Sequence, residues 1–256
     1  MSRPLGDKIQ SFALTDVGLT RSENQDACAL FSTKGQSLVA VVADGMGGHA
    51  GGATASRIVI ETIRDWLLPT RDEVDGETLA NAIEDANQRI YAKAQDEPGF
   101  RGMGTTVVAL LFHPDYWAWV AHVGDSRAYR LRGNSFEQLT HDHSVVADLV
   151  RKGQLSEEEA EVDPRRNEIL RSVGVAPTVE VDVNAVSVRP GDRFLLCSDG
   201  LTGPVQSEDI SSILALYDPE DATRTLIAWA NEMGSPDNVT AIALHYTDPD
   251  SETDNI

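Results

Sequence analysis

The stretch from residue 37 to residue 56 holds residues whose types and spacing could do chemistry. An apolar run ends at Asp44, a helical pattern begins near residue 53, and the turn between them holds five glycines: Gly45, Gly47, Gly48, Gly51 and Gly52. This pattern predicts a buried strand that delivers a carboxylate into a turn that only small residues can make. A buried carboxylate needs a partner. A divalent cation is suitable, because hard cations take carboxylate, carbonyl and water oxygens.

Two other interpretations of this stretch are open. Asp44 could simply end a strand and cap a turn. The run from Gly45 to Ala50 also fits the dinucleotide-binding pattern G-x-G-x-x-A. The Asp44 carboxylate would repel a pyrophosphate, however, and no second strand ending in an acidic residue follows about 20 residues later. The stretch therefore favours a metal site over a plain turn, and a plain turn over a nucleotide loop.

Four more aspartates stand at the ends of predicted strands, and they are Asp26, Asp125, Asp199 and Asp237. Any one of them is more often a turn former than a ligand, but five in the same structural position are harder to dismiss. If they converge, like charges could not all stay ionised without cations. Two hard cations about 3.5–4 Å apart, bridged by Asp44, would solve this and create a centre for in-line displacement at phosphorus.

Composition limits the classes of partner. The chain has 256 residues, is 41% hydrophobic and carries a net charge of −20, with an isoelectric point near 4.5. Such an acidic surface argues against nucleic acid or an anionic membrane as a partner. Cys28 and Cys197 lie in apolar runs and are expected to be buried, reduced thiols. Without a signal peptide or an apolar run long enough to span a membrane, we expect a cytoplasmic protein.

Hydrophobic periodicity predicts antiparallel blocks of strands with pairs of helices between them. Strands are predicted at 8–16, 27–31, 38–43, 105–112, 117–123, 126–131, 135–139, 178–188, 192–198 and 238–246, and helices at 51–67, 76–96, 143–152, 156–161, 207–217 and 219–233. This order favours an α+β layered domain over a doubly wound one. We expect one domain over 1–246, a loop at 162–177 and an acidic, disordered tail at 247–256.

Six short motifs in a fixed order carry a family resemblance. They are TDVG…RSENQD at 15–26, VADGMGG at 42–48, GTT at 104–106, HVGDSR at 122–127, CSDGL at 197–201 and DNVT at 237–240. With these motifs the chain resembles the bacterial form of the metal-dependent Ser/Thr protein phosphatase family, type 2C. The resemblance implies a four-layer αββα sandwich, in which two central antiparallel sheets are flanked by helix pairs and the metals lie at one edge.

The resemblance also implies a role for each site residue. Asp44 bridges two Mn²⁺ or Mg²⁺ ions, the Gly45 carbonyl completes one of them, and Asp199 and Asp237 hold the other. Asp26 acts mostly through metal-bound water, and Asp125 joins Asp199 at a third, weaker site. Arg21 resembles the arginine that grips the substrate phosphate, which suits its bidentate guanidinium; a plain surface arginine is the open alternative.

The implied reaction is hydrolysis of phosphoserine or phosphothreonine by a metal-activated water in one in-line step. The leaving alkoxide needs a proton. Where animal relatives have a histidine after the Asp-Gly pair this chain has Met46, so His49 is the candidate donor, with metal-bound water or a loop histidine without a role as alternatives. A flap is implied within about 140–175, where Val162-Asp163-Pro164 departs from the usual His-Pro. We interpret His141, Asp142 and His143 as a turn and helix start rather than as ligands.

The sequence therefore predicts a monomeric protein Ser/Thr phosphatase that acts on phosphorylated proteins and opposes a bacterial Ser/Thr kinase. One rival is a catalytically weak phosphoprotein-binding module on the same fold, which would be expected to lose one of the five aspartates. Another rival is a Mg²⁺-dependent phosphoacceptor domain, which would have a parallel sheet and a much shorter chain. Antiparallel blocks argue against that second rival.

Overall fold

The chain folds into eleven strands and seven α-helices in the computed structural model, which describes residues 8–48, 51–70, 74–113 and 117–247. The strands are β1 Ile9–Asp16, β2 Asp26–Ser32, β3 Leu38–Met46, β4 Gly104–Thr105, β5 Val107–His113, β6 Trp117–Val123, β7 Arg127–Arg132, β8 Ser135–Gln138, β9 Asp182–Ser187, β10 Arg193–Cys197 and β11 Val239–Tyr246. The helices are α1 Gly51–Leu67, α2 Gly76–Asp96, α3 Val145–Arg151, α4 Glu157–Val162, α5 Asp199–Thr202, α6 Ser207–Leu216 and α7 Pro219–Glu232.

Two antiparallel sheets form the centre of the molecule. The first has the strand order β1-β11-β10-β7-β8, and the second has the order β2-β3-β5-β6-β9, with β4 paired to β3. The first and last long strands of the chain pair along their whole length, from Ile9 opposite Tyr246 to Asp16 opposite Val239. β1 and β11 are therefore neighbours in the sheet although more than two hundred residues separate them in the sequence.

Three apolar cores separate four layers. Between the two sheets lie residues such as Val42, Leu110 and Phe194. On the outer face of the second sheet, the buried sides of α1 and α2 pack through a core that includes Val59 and Ile83. On the outer face of the first sheet, a third core holds the buried sides of α6 and α7. The predicted α+β class and its four-layer αββα arrangement are confirmed.

Several element boundaries differ from the prediction for identifiable reasons. The predicted strand 105–112 is interrupted at Thr106, whose hydroxyl accepts the Asp44 N–H at 3.0 Å and whose N–H donates to the Asp44 carbonyl at 2.8 Å. The predicted strand 178–188 begins only at Asp182, where pairing with β6 starts. The short helix α5 lies where the sequence pattern predicted no element.

The segment from Thr140 to Val181 connects β8 to β9 and holds the two short helices α3 and α4. Ser144 caps α3 by accepting the Ala147 N–H, and Ser156 closes a capping box with Glu159 at the start of α4. One isolated bridge joins Ser144 to Ile169 within the segment, and a second joins Val173 to Thr105 of β4. The predicted tail, 247–256, lies outside the described residues from 248 onwards. Among the described residues, no helix is long and apolar enough to cross a membrane.

Candidate active site

The five predicted aspartates come together at one end of the sandwich. Asp26 and Asp44 are directly opposite each other in the register of β2 and β3. Asp125 follows β6, Asp199 begins α5 directly after β10, and Asp237 lies two residues before β11. The charges of the other four carboxylates all act to raise the pKa of Asp44. Both sheets therefore contribute carboxylates to a single cluster.

Burial is the main cause of the pKa shifts in this cluster, and like charge adds to it. Burial, followed by the neighbouring carboxylates, raises the pKa of Asp44 well above its usual 3.8. Burial likewise raises the pKa of Asp26 to about 6 and that of Asp125 to about 7. These are the shifts expected when carboxylates crowd together out of water. A metal-free cluster must therefore hold protons near neutral pH, or else take up cations.

Gly45 gives the cluster its tight backbone. A Cβ at this position would lie 2.2 Å from the Gly52 carbonyl oxygen and 2.5 Å from that of Gln25. The Gly45 N–H donates to the Gln25 carbonyl at 3.1 Å. Glycine is therefore required where β2, β3 and the start of α1 meet, which explains why Asp44 is followed by glycine.

Two hydroxyl groups hold Asp26 from the other sheet. Ser198 Oγ donates to Asp26 Oδ2 at 2.7 Å, and Thr240 Oγ1 donates to the same oxygen at 2.6 Å. Hydrogen bonds to one carboxylate oxygen fix its orientation and leave the second oxygen for another partner. Sequence reasoning did not assign a role to either residue. The available signal was a hydroxyl side chain inside an otherwise apolar strand, within the CSDGL and DNVT motifs.

One oxygen of Asp199 is an unsatisfied acceptor. Asp199 Oδ1 is buried, and no hydrogen-bond donor among the described residues reaches it, while the carboxyl group of Asp199 also lies within hydrogen-bonding reach of Asp44. Buried polar atoms without partners are uncommon in native proteins. An all-oxygen donor set with an orphaned carboxylate oxygen fits divalent cations such as Mg²⁺ or Mn²⁺.

Arg21 lies at the rim of the cluster. Its Nη2 donates to Asp237 Oδ2 at 2.7 Å and its Nε donates to the Pro236 carbonyl at 3.2 Å. About half of the Arg21 side chain is exposed, as is about a third of that of Asp237. Arg21 also lines a cavity of about 230 Å³ together with Ser22, Glu23, Gln25 and Asn238. Arg21 is therefore placed where a substrate could reach both it and the carboxylates.

The other histidines and acids considered from the sequence fall elsewhere. His49 lies outside the described residues. Asp142 makes a two-pronged ion pair with Arg127, and the His141 carbonyl contacts His122 Nε2 at 2.8 Å. His143 contacts the backbone of Gly124. His141, Asp142 and His143 therefore contact other parts of the protein, and they lie just before α3, which begins at Val145.

Comparison with known proteins shows the same family over nearly the whole chain. The family described as Protein phosphatase 2C matches residues 20–242. Protein phosphatase PhpP of Streptococcus pneumoniae is 39% identical over 244 residues, covering 93% of this chain and 98% of that protein. Serine/threonine phosphatase stp of Listeria welshimeri is 38% identical over 236 residues, covering 90% of this chain and 93% of its own length.

Solved structures agree with this relationship. The Streptococcus agalactiae serine/threonine phosphatase superposes with a TM-score of 0.87 at 36% identity, covering 93% of this chain and 99% of its own. The catalytic domain of the phosphatase PstP, solved with two manganese ions, superposes with a TM-score of 0.85 at 34% identity, covering 94% of this chain and 99% of its own. This chain therefore belongs to the protein phosphatase 2C family and is a protein serine/threonine phosphatase.

Proposed function

We propose that this phosphatase hydrolyses phosphoserine and phosphothreonine in one in-line step, using two divalent cations held by Asp44, Gly45, Asp199 and Asp237. The observation that carries the proposal is the convergence of five buried or partly buried carboxylates, with one oxygen of Asp199 left unsatisfied. When bound, the cations would supply an activated water as nucleophile and positive charge for the phosphoryl oxygens. Mn²⁺ and Mg²⁺ both suit an oxygen donor set.

The aspartates have different tasks in this proposal. The charges of the other four carboxylates all act on Asp44, so Asp44 would be the ligand that the two cations share, and the Gly45 carbonyl, next to it in β3, would complete one of them. Asp26 is oriented by Ser198 and Thr240 and contributes through water held at its second oxygen. Asp125 shares a third, weaker cation site with Asp199, whose charge also acts on Asp125.

Arg21 binds the substrate phosphate in this proposal. Its guanidinium is paired with Asp237 in the structure, and a cation on Asp237 would take over part of that negative charge. The guanidinium could then present two N–H groups to two phosphate oxygens, which a planar fork does better than an ammonium. Its half-exposed position allows this change of partner.

The leaving alkoxide needs a proton, and His49 is the proposed donor. Met46 has no proton to give, and His49 is the nearest histidine that follows it in the sequence. Water held by the cations is the alternative source. An imidazole donor titrates near neutral pH, so its loss should change the pH profile of turnover.

Phosphorylated proteins are the substrates of this class, and we propose that those of this enzyme are the products of a bacterial Ser/Thr kinase. The rival proposal from the sequence, a catalytically weak phosphoprotein-binding module, is not favoured, because all five aspartates are present and converge.

The decisive experiment is phosphate release from a phosphothreonine peptide, measured with Mn²⁺, with EDTA and for two variants. We expect EDTA to abolish release and Asp44→Asn to lower kcat/KM by about 10³-fold, because removing the bridging carboxylate costs several kcal/mol of charge stabilisation. Asp65→Asn, an exposed carboxylate on α1, is the matched control and should behave as wild type. Activity that survives EDTA, or survives Asp44→Asn, refutes the mechanism. A pure binding module would retain the peptide and release no phosphate.

A further inference from the structure

His143 holds the backbone that carries Asp125. The Gly124 N–H donates to His143 Nδ1 at 3.1 Å, and the His143 N–H donates to the Gly124 carbonyl at 2.9 Å. A single residue therefore satisfies both polar groups of the residue immediately before Asp125. His143 itself is buried, with 8% of its surface exposed.

Gly124 depends on such contacts for its orientation. Its φ of +105° lies in a region that side chains rarely adopt, and a Cβ there would lie 2.7 Å from the Thr106 side chain. Glycine is thus required at this position, but glycine restricts the backbone least of all residues. The two hydrogen bonds with His143 must therefore restrict the backbone of Gly124, since no side chain does so. Because Asp125 is the next residue, the direction of its carboxylate depends on how the Gly124 backbone is held.

The contact with Gly124 determines which ring nitrogen of His143 carries the proton. A backbone N–H can only donate, so Nδ1 must be the acceptor and the neutral ring carries its proton on Nε2. Nε2 lies 3.5 Å from Asp182 Oδ2, and the ring stacks on His122 with centroids 4.7 Å apart. Burial, followed by the charges of His122 and then Arg171, lowers the pKa of His143 to about 4, which agrees with a neutral ring.

Arg171 completes the support through Asp182. It pairs with Asp182 Oδ1 and donates to the Glu180 carbonyl at 3.2 Å. Its Nη1 also lies 3.2 Å from His143 Nε2. A neutral imidazole has only one acceptor nitrogen, and Gly124 already uses it. Arg171 therefore makes no hydrogen bond to His143. The two side chains lie close together because both contact Asp182.

A metal ion is the alternative explanation for this cluster. Ligand atoms of His122, His143 and Asp182 lie within 4.8 Å of one another, and His122 Nδ1 has no hydrogen-bond partner among the described residues. Zinc needs neutral nitrogens with free lone pairs and carboxylates that are not already neutralised. The lone pair of His143 is occupied by Gly124, and the charge of Asp182 is paired with Arg171. The arrangement therefore fits a support for the backbone better than a metal site.

We infer that His143 is a positioning residue: held by Asp182, it fixes the Gly124 peptide so that the Asp125 carboxylate faces its cation. The inference rests on the proposed role of Asp125 in the third, weaker site. It also gives the segment from Thr140 to Val181 a function, because that segment supplies both His143 and Arg171. Partners of this kind typically change metal affinity 10–100-fold when they are removed.

The test compares two variants of nearly equal shape. His143→Asn places an oxygen where Nδ1 lies and can still accept the Gly124 N–H, whereas His143→Leu places a methyl group there. Both variants lack the ring and its stack on His122, so they differ chiefly in the acceptor. Mn²⁺ binding to each protein is measured by titration calorimetry, and folding is checked by circular dichroism.

We expect His143→Leu to weaken the third, weaker cation site by about 10-fold or more relative to His143→Asn, with the tight sites unchanged in both. Equal affinities of the weak site in the two variants would overturn the inference. If the Leu variant does not fold, Asp182→Asn decides the question. Asp182 is partly exposed, and removing its charge should weaken only the weak site, about 3–10-fold. An unchanged weak site in that variant would count against the inference.

Asp125→Asn separates failure of this inference from failure of the proposed cation sites. If wild type binds no Mn²⁺, or if Asp125→Asn keeps the weak site, then the assumed role of Asp125 is wrong and the inference falls with it. If Asp125→Asn loses the weak site while His143→Leu keeps it, only the role of His143 is wrong. In the Asp125→Asn background, His143→Leu should change Mn²⁺ binding no further.

Discussion

The Asp26 carboxylate shows how single residues link the two sheets. It begins β2, yet its hydroxyl partners come from the other sheet: Thr240 lies in β11, and Ser198 directly follows β10. The contacts are short and buried, and they orient the carboxylate before any cation arrives. Such outer partners are part of a metal site as much as the ligands themselves.

Removing one of these hydroxyls tests that role. For Ser198→Ala we expect the Mn²⁺ concentration that gives half-maximal phosphatase activity to rise about 10-fold, because Asp26 loses one of two orienting hydrogen bonds. The matched control is Ser212→Ala, whose exposed hydroxyl bonds only the Glu208 carbonyl within α6. Unchanged Mn²⁺ dependence in Ser198→Ala would show that Asp26 does not need this partner.

The raised pKa values of the carboxylates predict how the metal-free protein responds to pH. Burial raises the pKa of Asp26 to about 6 and that of Asp125 to about 7, against 3.8 in an ordinary carboxyl group. As pH rises through this range, the unfolded chain ionises freely while the folded chain resists ionisation, so the free energy of unfolding falls. The loss is complete above the folded pKa values.

Bound cations would remove this penalty, and thermal unfolding can measure the effect. We expect EDTA to lower the Tm by about 5 °C or more at about pH 8, and by much less at about pH 5. A positively charged lysine or histidine beside these carboxylates would instead lower their pKa, and the free energy of unfolding would then rise with pH. An equal effect of EDTA at both pH values would mean that the carboxylates are not coupled to stability in this way.

The five aspartates of the cluster could be predicted from the sequence, whereas the hydroxyl groups that hold one of them could not. Asp44 and Asp199 each end an apolar run and precede a glycine, a local pattern visible without any structure. Ser198 and Thr240 were inside recognised motifs, but their partner lies 172 and 214 residues away. Local patterns carry no information about which carboxylate a hydroxyl will meet across two sheets.

At the scale of elements, the junction between β3 and α1 is packed so tightly that it leaves no room for a side chain at Gly45. Gly45 and Gly52 approach so closely that a Cβ on Gly45 would overlap the Gly52 carbonyl. The buried face of α1, which includes Val59 and Ile63, holds the helix against β3. The strand end therefore cannot move away without losing apolar contacts, and the position of Asp44 is fixed as a consequence.

Gly45→Ala tests this junction. We expect the free energy of unfolding to fall by about 2–4 kcal/mol, because the added methyl group must displace main-chain atoms. Gly99→Ala is the control, since nothing lies within 4 Å of a Cβ at that position. Thermal unfolding followed by circular dichroism measures both. Wild-type stability in Gly45→Ala would contradict the packing described for β3 and α1.

Long periodic elements were predictable, and short ones decided by tertiary contacts were not. The helix Gly76–Asp96 matches its predicted range, because Asp75 caps it and its apolar residues recur at helical spacing. The break between β4 and β5 arises from the hydrogen bonds of Thr106 to Asp44, residues that lie far apart in the sequence. The four residues of α5 are too few to show a period.

At the scale of the whole molecule, the site exists only when the two sheets are packed. Asp26 and Asp44 lie in the second sheet, Asp125 lies in the turn that connects the two sheets, and Asp199 and Asp237 lie beside β10 and β11 of the first sheet. An apolar core between the sheets, including Phe112 packed edge-on against Phe194, sets their separation. The layered fold and the phosphatase activity predicted from the sequence are confirmed. The single-domain boundary, the cytoplasmic setting and the monomeric state stay predictions.

The central claim is that carboxylates from both sheets hold two cations bridged by Asp44. Anomalous diffraction from crystals grown with Mn²⁺ tests it most directly. We predict two strong manganese peaks about 3.5–4 Å apart, with Asp44 between them and Asp199 and Asp237 bound to one. Full occupancy by Mn²⁺ at any other place, with Asp44 contacting no ion, would contradict the account.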